Sequence, residues 1–535
     1  MAPTSGSPTR FGVRRPWRLA GLLAATVTVA LFVAVAVAVP PTGDAARSRL
    51  LALLANHFDS EVDLQEFRLT VFPRLRAEGR GLTIRHRGRR DVPPLISVQH
   101  FSAEGSIPAL LRRHITQVQI TGLDIEIPPD RSENSANAPG ASHPDGRFTS
   151  GDPKGDAVKT FVIDDLRATE ARLAIIPGSS GEDPKVWAIH DLRMTSVSWD
   201  RALPFTATLT NAVPPGEIDT SGTFGPWDSL EPGRTPLGGT FTLARADLGV
   251  FKGISGMLSA RGTFDGVLDR FVVEGETHAP LFQVAAGGHP VPLDTRYRAL
   301  VDGTNGNTVL TRVEAALLKT SIAASGVIAK RRGAQGRTVT LDVAIDHGRL
   351  EDVLKLAITA PRSPMVGALQ LQTRFVLPPG DLDVVKRLRL SGRFTIADTR
   401  FTSLDIQARL DELSHRSRGR RTTLPTQPVT SQFNGTFRLE RGVLEIPQVA
   451  FTLPGTAVRL GGTYELFPER LNFAGTLFMN VKLSQTTTGL KSFLLRIVDP
   501  LFRSGDGGSA IPIKITGSRE DPSFGLDKGR VFRRR

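Results

Sequence analysis

One run limits what this chain can be: Leu19 to Val39, twenty-one residues whose only polar side-chain groups are the hydroxyls of Thr26 and Thr28. As a helix it rises roughly 31 Å at about 1.5 Å per residue, matching the ~30 Å hydrocarbon core of a bilayer. Pro40-Pro41 closes it. Arg10, Arg14, Arg15 and Arg18 precede it, whereas the first charge beyond it is Asp44. Positive charge sets the cytoplasmic side, so the expectation is a single-pass membrane anchor with the N-terminus in the cytoplasm and the bulk of the chain exported. A cleaved signal peptide is the competing reading, with Ala36-Val37-Ala38 as its small-residue site. Signal h-regions run only ~7–15 residues, and the length of this run favours a retained anchor.

Export bears on the rest of the composition. The 535 residues contain no cysteine, so no disulfide framework, thiolate nucleophile or thiolate metal site exists. Core burial and sheet hydrogen bonding must hold the exported part together. The net charge of +14 would suggest nucleic acid in a cytosolic protein, but the membrane puts that partner on the wrong side and no motif for it appears. The basic clusters Arg85 to Arg90, Lys330 to Arg332, Arg416 to Arg421 and Arg533 to Arg535 suit either anionic head groups or plain solvation. Aromatic residues are 28 Phe against 2 Tyr and 4 Trp. Phe brings apolar area with no polar tip to satisfy, as a hydrocarbon-facing surface or an ordinary dry core would both want.

Period two dominates after the anchor. A short helix is expected over Ala46 to Phe58, with Leu50, Leu53, Leu54 and Phe58 at helical spacing and Asp44 as N-cap. Strands follow at Phe67, Leu69, Val71 and at Leu82, Ile84. A second short helix, Ile107 to His114, starts behind Ser106 with Pro108 in its first turn. The next strand has Val118 and Ile120, then Leu123, Ile125 and Ile127; the step from even to odd falls at Gly122, as an inserted bulge residue would require. Pro128 to Asp156 reads as a linker. Strand patterns resume at Phe161, Leu173, Ile175, Trp187 and Ile189, then at Leu203, Phe205, Ala207 and Leu209. Pro214 to Pro236 reads as a Pro/Gly-rich interruption.

A soft repeat then appears: Gly222-Thr223-Phe224, Gly239-Thr240-Phe241, Gly262-Thr263-Phe264, Gly435-Thr436-Phe437 and Gly462-Thr463-Tyr464. Glycine inside a strand marks a bulge or a close backbone approach. Ser321 to Ile345 reads as a hairpin through the turn Arg331 to Gly336. Short helices are expected at Leu350 to Leu356, Leu382 to Leu388 and Leu404 to Leu413. Further strands are expected at Phe394 and Ile396, Val449 to Leu453, Leu471 to Leu477, and Ile511 to Ile515. A last helix, Gly489 to Asp499, carries Leu490, Phe493, Leu494, Ile497 and Val498 on one face and is stopped by Pro500. The fold class is mainly β, mostly antiparallel, with short helices too few to cover its apolar face.

Catalytic patterns are missing. There is no Gly-x-Ser-x-Gly elbow, His-Glu-x-x-His helix or phosphate loop ending in Gly-Lys-Ser/Thr. Gly505, Gly507 and Ala510 match a dinucleotide fingerprint in spacing but lead into a strand. The ten histidines are scattered; His278 and His289 are close enough to share a hairpin, with no carboxylate evident to complete a site. No enzyme, metal site or cofactor is expected.

Two segments carry an ordered series of motifs. Val62 to Ile127 runs strand, Gly81-Leu82, strand, the Leu110-Leu111 helix, then Val118-Gln119-Ile120-Thr121-Gly122-Leu123-Asp124-Ile125-Glu126-Ile127-Pro128, directly after an anchor. Leu388 to Leu526 contains Leu390-Ser391-Gly392-Arg393-Phe394-Thr395-Ile396, Leu410-Asp411-Glu412-Leu413-Ser414, Phe451-Thr452-Leu453-Pro454-Gly455-Thr456-Ala457-Val458, Gly462-Thr463-Tyr464-Glu465-Leu466, and Ile511-Pro512-Ile513-Lys514-Ile515-Thr516-Gly517 before Asp521-Pro522. Together these resemble the AsmA family of bacterial envelope proteins. The resemblance implies an anchor in the bacterial inner membrane with the bulk of the chain periplasmic, a chorein-like module over 44–127 and, after the linker over 128–157, a middle β-groove region over 158–380. An AsmA-like C-terminal region over 381–527 completes it, between the basic tails 1–18 and 528–535. It also implies an elongated, curved antiparallel sheet whose apolar groove carries phospholipid, in outer-membrane biogenesis or protein targeting to that membrane, with an inner- or outer-membrane protein as partner. The expected groove residues are Phe67, Leu69, Val71, Leu203, Phe205, Leu209, Leu341, Val343, Phe437, Leu439, Phe473 and Leu477. A periplasmic scaffold with closed, dry cores and an anchored envelope hydrolase are the alternatives.

Overall fold

A computed structural model describes residues 43–58, 60–71, 74–86, 94, 96–127, 161–175, 185–198, 200–228, 231–284, 288–330, 336–358, 362–402, 431–453, 456–467, 469–479, 509–518 and 522–527. Among these residues no helix is long and apolar enough to cross a membrane. The run Leu19–Val39 and the arginines before it lie outside the described residues, as do the linker, the expected helices at Leu404–Leu413 and Gly489–Asp499, and both terminal tails.

The described chain is mainly β. It opens with helix α1 (Gly43–Phe58), then β1 (Ser60–Thr70), β2 (Leu75–His86), β3 (Ile96–Gly105), helix α2 (Ile107–Leu111) and β4 (His114–Ile127). There follow β5 (Val162–Ile175), β6 (Lys185–Val197), β7 (Leu203–Thr210), β8 (Glu217–Phe224), β9 (Pro236–Asp247), β10 (Ile254–Ser255), β11 (Met257–Val267) and β12 (Arg270–Val284). Next come β13 (Val291–Val301), β14 (Thr308–Leu317), β15 (Thr320–Ala329), β16 (Thr338–Arg349), helix α3 (Leu350–Ala357), β17 (Met365–Leu377) and helix α4 (Val384–Arg387). The last strands are β18 (Arg389–Phe401), β19 (Ser431–Glu440), β20 (Val443–Leu453), β21 (Thr456–Glu465), β22 (Arg470–Met479), β23 (Ser509–Ser518) and β24 (Pro522–Leu526).

The chain divides into two compact units. Unit 1 comprises residues 1–244, 261–274 and 300–307; unit 2 comprises 245–260, 275–299 and 308–535. Residues on both sides of the linker 128–157 share one core in unit 1.

In unit 1, β1 to β9 pair in succession, antiparallel except for β4 with β5. That parallel pair is the exception in a sheet expected to be mostly antiparallel; its long connection, residues 128–161, permits the crossover a parallel pair requires. Helix α1 lays Ala46, Leu50 and Leu54, spaced by four, into full burial. Arg47 donates to the carbonyl of Leu64 at 2.7 Å and fixes the helix to β1. Asp44 lies in the helix's first turn rather than at its N-cap, where a negative charge meets the positive end of the helix dipole. Ser106 caps α2, its Oγ accepting from the Ala109 N–H at 3.3 Å, and α2 ends before His114 because Arg113 turns left-handed at φ 62°. The segment Pro214 to Pro236 is not simply an interruption. Its residues 217–224 form β8, paired along its whole length with β7.

The step at Gly122 is real but is not an inserted residue. Pairing runs through it without a shift, Val98 opposite Leu123 and His100 opposite Thr121. Instead Gly122 has φ 65°, Gly81 on β2 has φ 66° and Glu170 on β5 has φ 55°. These positions, with Gln65, Gln99 and His190, form one row across β1 to β6. Every strand reverses its pleat there together, so buried positions step by three, as from Val98 to Phe101 and Ile120 to Leu123. The row ends at β7, where the β6–β7 register shifts between Ile189 and Asp191.

In unit 2, β14 to β24 pair antiparallel in succession. The hairpin Ser321–Ile345 forms as expected from β15 and β16. Extra residues interrupt the register of β16, β18 and β20. On β20 the irregularity contains Pro447, whose missing N–H costs nothing at a bulge. Helix α3 is tied in through Asp352, buried to 4% exposure, which accepts from the Lys319 N–H at 3.1 Å and the Thr320 hydroxyl at 3.0 Å.

Candidate functional site

The two units treat their apolar residues differently. In unit 1, side chains from α1 and β1 to β8 fill one core; Leu54, Leu64, Leu82, Ile84, Phe101, Leu166 and Leu192 are fully buried. Leu203, Phe205 and Leu209 belong to that core, at 4%, 9% and 9% exposure. Phe67 and Leu69 are half-buried against it. Val71 lies beyond the end of β1 and is 52% exposed. Of the six groove residues expected in unit 1, three are thus packed among the unit's own side chains.

Unit 2 presents an apolar face that stays half-buried. Alternation puts Val339, Leu341 and Val343 on one side of β16, and register carries that side onward. Leu341 faces Phe375, Phe375 faces Leu390, and Leu390 faces Leu439. Farther along, Leu444 faces Tyr464 and Tyr464 faces Leu471, while Phe473 faces Ile515. Leu341, Val343, Phe437, Phe473 and Leu477 are half-buried on this face, and Leu439 is buried. At one end the face is closed by α3, where Leu350, Val353 and Leu354 pack with Ile345, Leu369 and Ile396. From β14 to β24 the ladder has ten steps, roughly 48 Å at about 4.8 Å per step.

Phenylalanine and glycine shape this face together. Phe437 stands opposite Gly392, Phe394 opposite Gly435 and Phe473 opposite Gly462. The Phe394 and Phe437 rings are 6.2 Å apart and the Phe433 and Phe451 rings 4.4 Å apart, the latter stacked. A Cβ on Gly435 would meet the Phe394 ring at 3.1 Å, and one on Gly462 would fall 2.6 Å from Cα of Phe473. In unit 1, Gly222 and Gly239 approach as closely, a Cβ on the first falling 2.1 Å from the Gly238 carbonyl. The Gly-small-aromatic repeat is therefore a device for close strand approach beside large rings.

The opposite face of unit 2 is polar. Arg374 and Asp342 lie 3.8 Å apart, Arg389 and Glu440 3.4 Å, and Arg393 donates to Gln372 at 3.0 Å. On unit 1, Arg167 and Arg193 are directly opposed on β5 and β6. Each reaches diagonally to an aspartate, Arg167 to Asp191 at 2.8 Å and Arg193 to Asp165 at 2.7 Å. The hydrogen bond it donates to Asp191 holds the Arg167 guanidinium above its ordinary value. On β12 and β13, Thr277 and Thr295 bond to each other, and burial raises the Tyr297 phenol above the usual tyrosine range.

His278 does have a carboxylate beside it, contrary to expectation. Asp294 on β13 meets its Nδ1, brought there by strand pairing rather than by sequence proximity. Both side chains are more than half exposed. Among the described residues no three His, Asp or Glu side chains are grouped to hold a metal. The distal helix residues Leu490, Phe493, Leu494, Ile497 and Val498 lie outside the described residues. Comparison with known protein families, with characterised proteins and with solved structures yields no match to this chain.

Proposed function

We propose that unit 2 binds the acyl chains of phospholipid on its half-buried apolar face, and that the chain works as an anchored periplasmic lipid carrier of the AsmA type. The observation that carries this reading is the run of half-buried Leu, Ile and Phe side chains from β16 to β23, backed by an outward face of charged and polar residues. Hydrating a ~16-carbon chain costs roughly 13 kcal/mol at about 0.8 kcal/mol per methylene. A face of this kind removes much of that cost by contact alone and needs no covalent chemistry. The Leu19–Val39 run would hold the protein at the inner membrane, where phospholipid is available.

Photo-crosslinking in cells tests the reading. A photoreactive residue replacing Phe437 or Phe473 should capture phospholipid, and one replacing Thr436, on the exposed side of the same strand, should not. Equal yields from both sides, or none from either, would reject it. A second reading draws on the filled core of unit 1, which suits a rigid docking module. On that reading unit 1 is the part that engages an assembly factor at the membrane.

A further inference from the structure

Strand pairing collects one set of loops of unit 2 at a single end of its sheet. The row of terminal residues runs Ala329, Thr338, Leu377, Arg389, Glu440, Val443, Glu465 and Arg470. Large apolar side chains are left exposed there: Leu382 at 66%, Phe467 at 45% and Val443 at 37%. They are neighbours of cations. Lys386 Nζ lies 5.6 Å from the centroid of the Phe467 ring, and the same ring lies 3.5 Å from where a Cβ on Gly442 would be. The charged groups separate by exposure. Among the described residues here, Lys330, Lys386, Arg389, Arg441 and Arg470 are exposed and Arg337 and Arg387 half-buried, whereas of the acids Asp381 is exposed and Asp383, Glu440, Glu465 and Glu469 are half-buried. Asp383 is occupied in capping α4, accepting from the Val385 N–H at 2.8 Å.

We infer that this end of unit 2 docks on an anionic lipid surface, with Phe467 and Leu382 entering the interface and Lys386, Arg441 and Arg470 facing the head groups. Exposed aromatic and aliphatic side chains ringed by cations are what the headgroup boundary selects. A soluble protein partner of mixed charge would not favour one sign of exposed charge. Its side chains come from the loops at the end of the sheet and not from Leu341, Val343, Phe437, Phe473 and Leu477 of the apolar face, so their substitution tests docking independently of acyl-chain binding.

The test uses the full chain reconstituted in proteoliposomes through its N-terminal segment, with protein-free vesicles added and their capture followed by fluorescence. Vesicles containing phosphatidylglycerol should be captured and pure phosphatidylcholine vesicles should not. Capture should weaken as salt is raised, because screening shortens the reach of the charges. Each basic residue near an anionic surface strengthens binding about fivefold. The triple variant Lys386→Gln, Arg441→Asn, Arg470→Gln should therefore lower affinity for the anionic vesicles about a hundredfold. Asparagine is chosen because residue 441 has φ 52°, a conformation it tolerates. A second variant, Leu382→Ser with Phe467→Ser, should lower capture while leaving its salt dependence in place. Equal capture by wild type and both variants, or equal capture of neutral vesicles, would overturn the inference.

Discussion

The side chain of Gln99 occupies the space that a Cβ on Gly122 would need: the two would be 2.4 Å apart. Gln65 stands in the same relation to Gly81, also at 2.4 Å. Each glutamine lies over the left-handed glycine of the neighbouring strand, on the row where β1 to β6 reverse their pleat together. Reversal in step keeps the hydrogen-bond register while moving the apolar set by one position. It lets a long strand contribute to one core on both sides of the row.

Replacing Gly122 by alanine should destabilise unit 1 by about 1–3 kcal/mol, from the strained φ and the clash together. Gln99→Ala alone should cost less. Combining the two should relieve the clash but not the backbone strain, and denaturant unfolding of wild type and the three variants measures that coupling.

Asp352 gives a second stability prediction. Asp352→Ala strands the Lys319 N–H and the Thr320 hydroxyl and should cost about 2–3 kcal/mol. The loss should appear as faster amide exchange in the β14–β15 turn and α3. Asp352→Asn keeps one acceptor and should lose less.

Tyr297 makes unit 2 sensitive to alkaline pH. Its folded value lies above the unfolded one because burial disfavours the phenolate. The neutral phenol is the form that tolerates burial, so its contribution to stability is complete below about pH 10 and is lost as pH climbs through the raised folded value. The chain has only 2 tyrosines, so ultraviolet titration in a Tyr464→Phe background reads Tyr297 alone. Its ionisation should come later than that of free tyrosine.

Alternation made the strands legible and assigned residues to faces: Leu341, Val343, Phe437, Phe473 and Leu477 lie on one side of unit 2. The same alternation marked Leu203, Phe205 and Leu209, which are packed in a filled core. Period two tells which side a residue takes, not whether anything covers that side. The step at Gly122 was visible too, but its cause needed the neighbouring strands, since an inserted residue and a shared pleat reversal leave the same mark on one strand. Strand β8 was hidden by the Pro and Gly around it, although its alternation from Ile218 to Phe224 was present. The parallel β4–β5 pair and the His278–Asp294 contact depend on pairings that local sequence does not encode.

Lipid content measured by extraction and mass spectrometry, on full chain exchanged into a lipid-free amphiphile, tests the central claim most directly. Lipid bound per chain should fall sharply in the Phe437→Asp, Phe473→Asp variant and remain at the wild-type level in Thr436→Asp, whose change is on the exposed side of the sheet. The same lipid content in all three proteins would contradict the account.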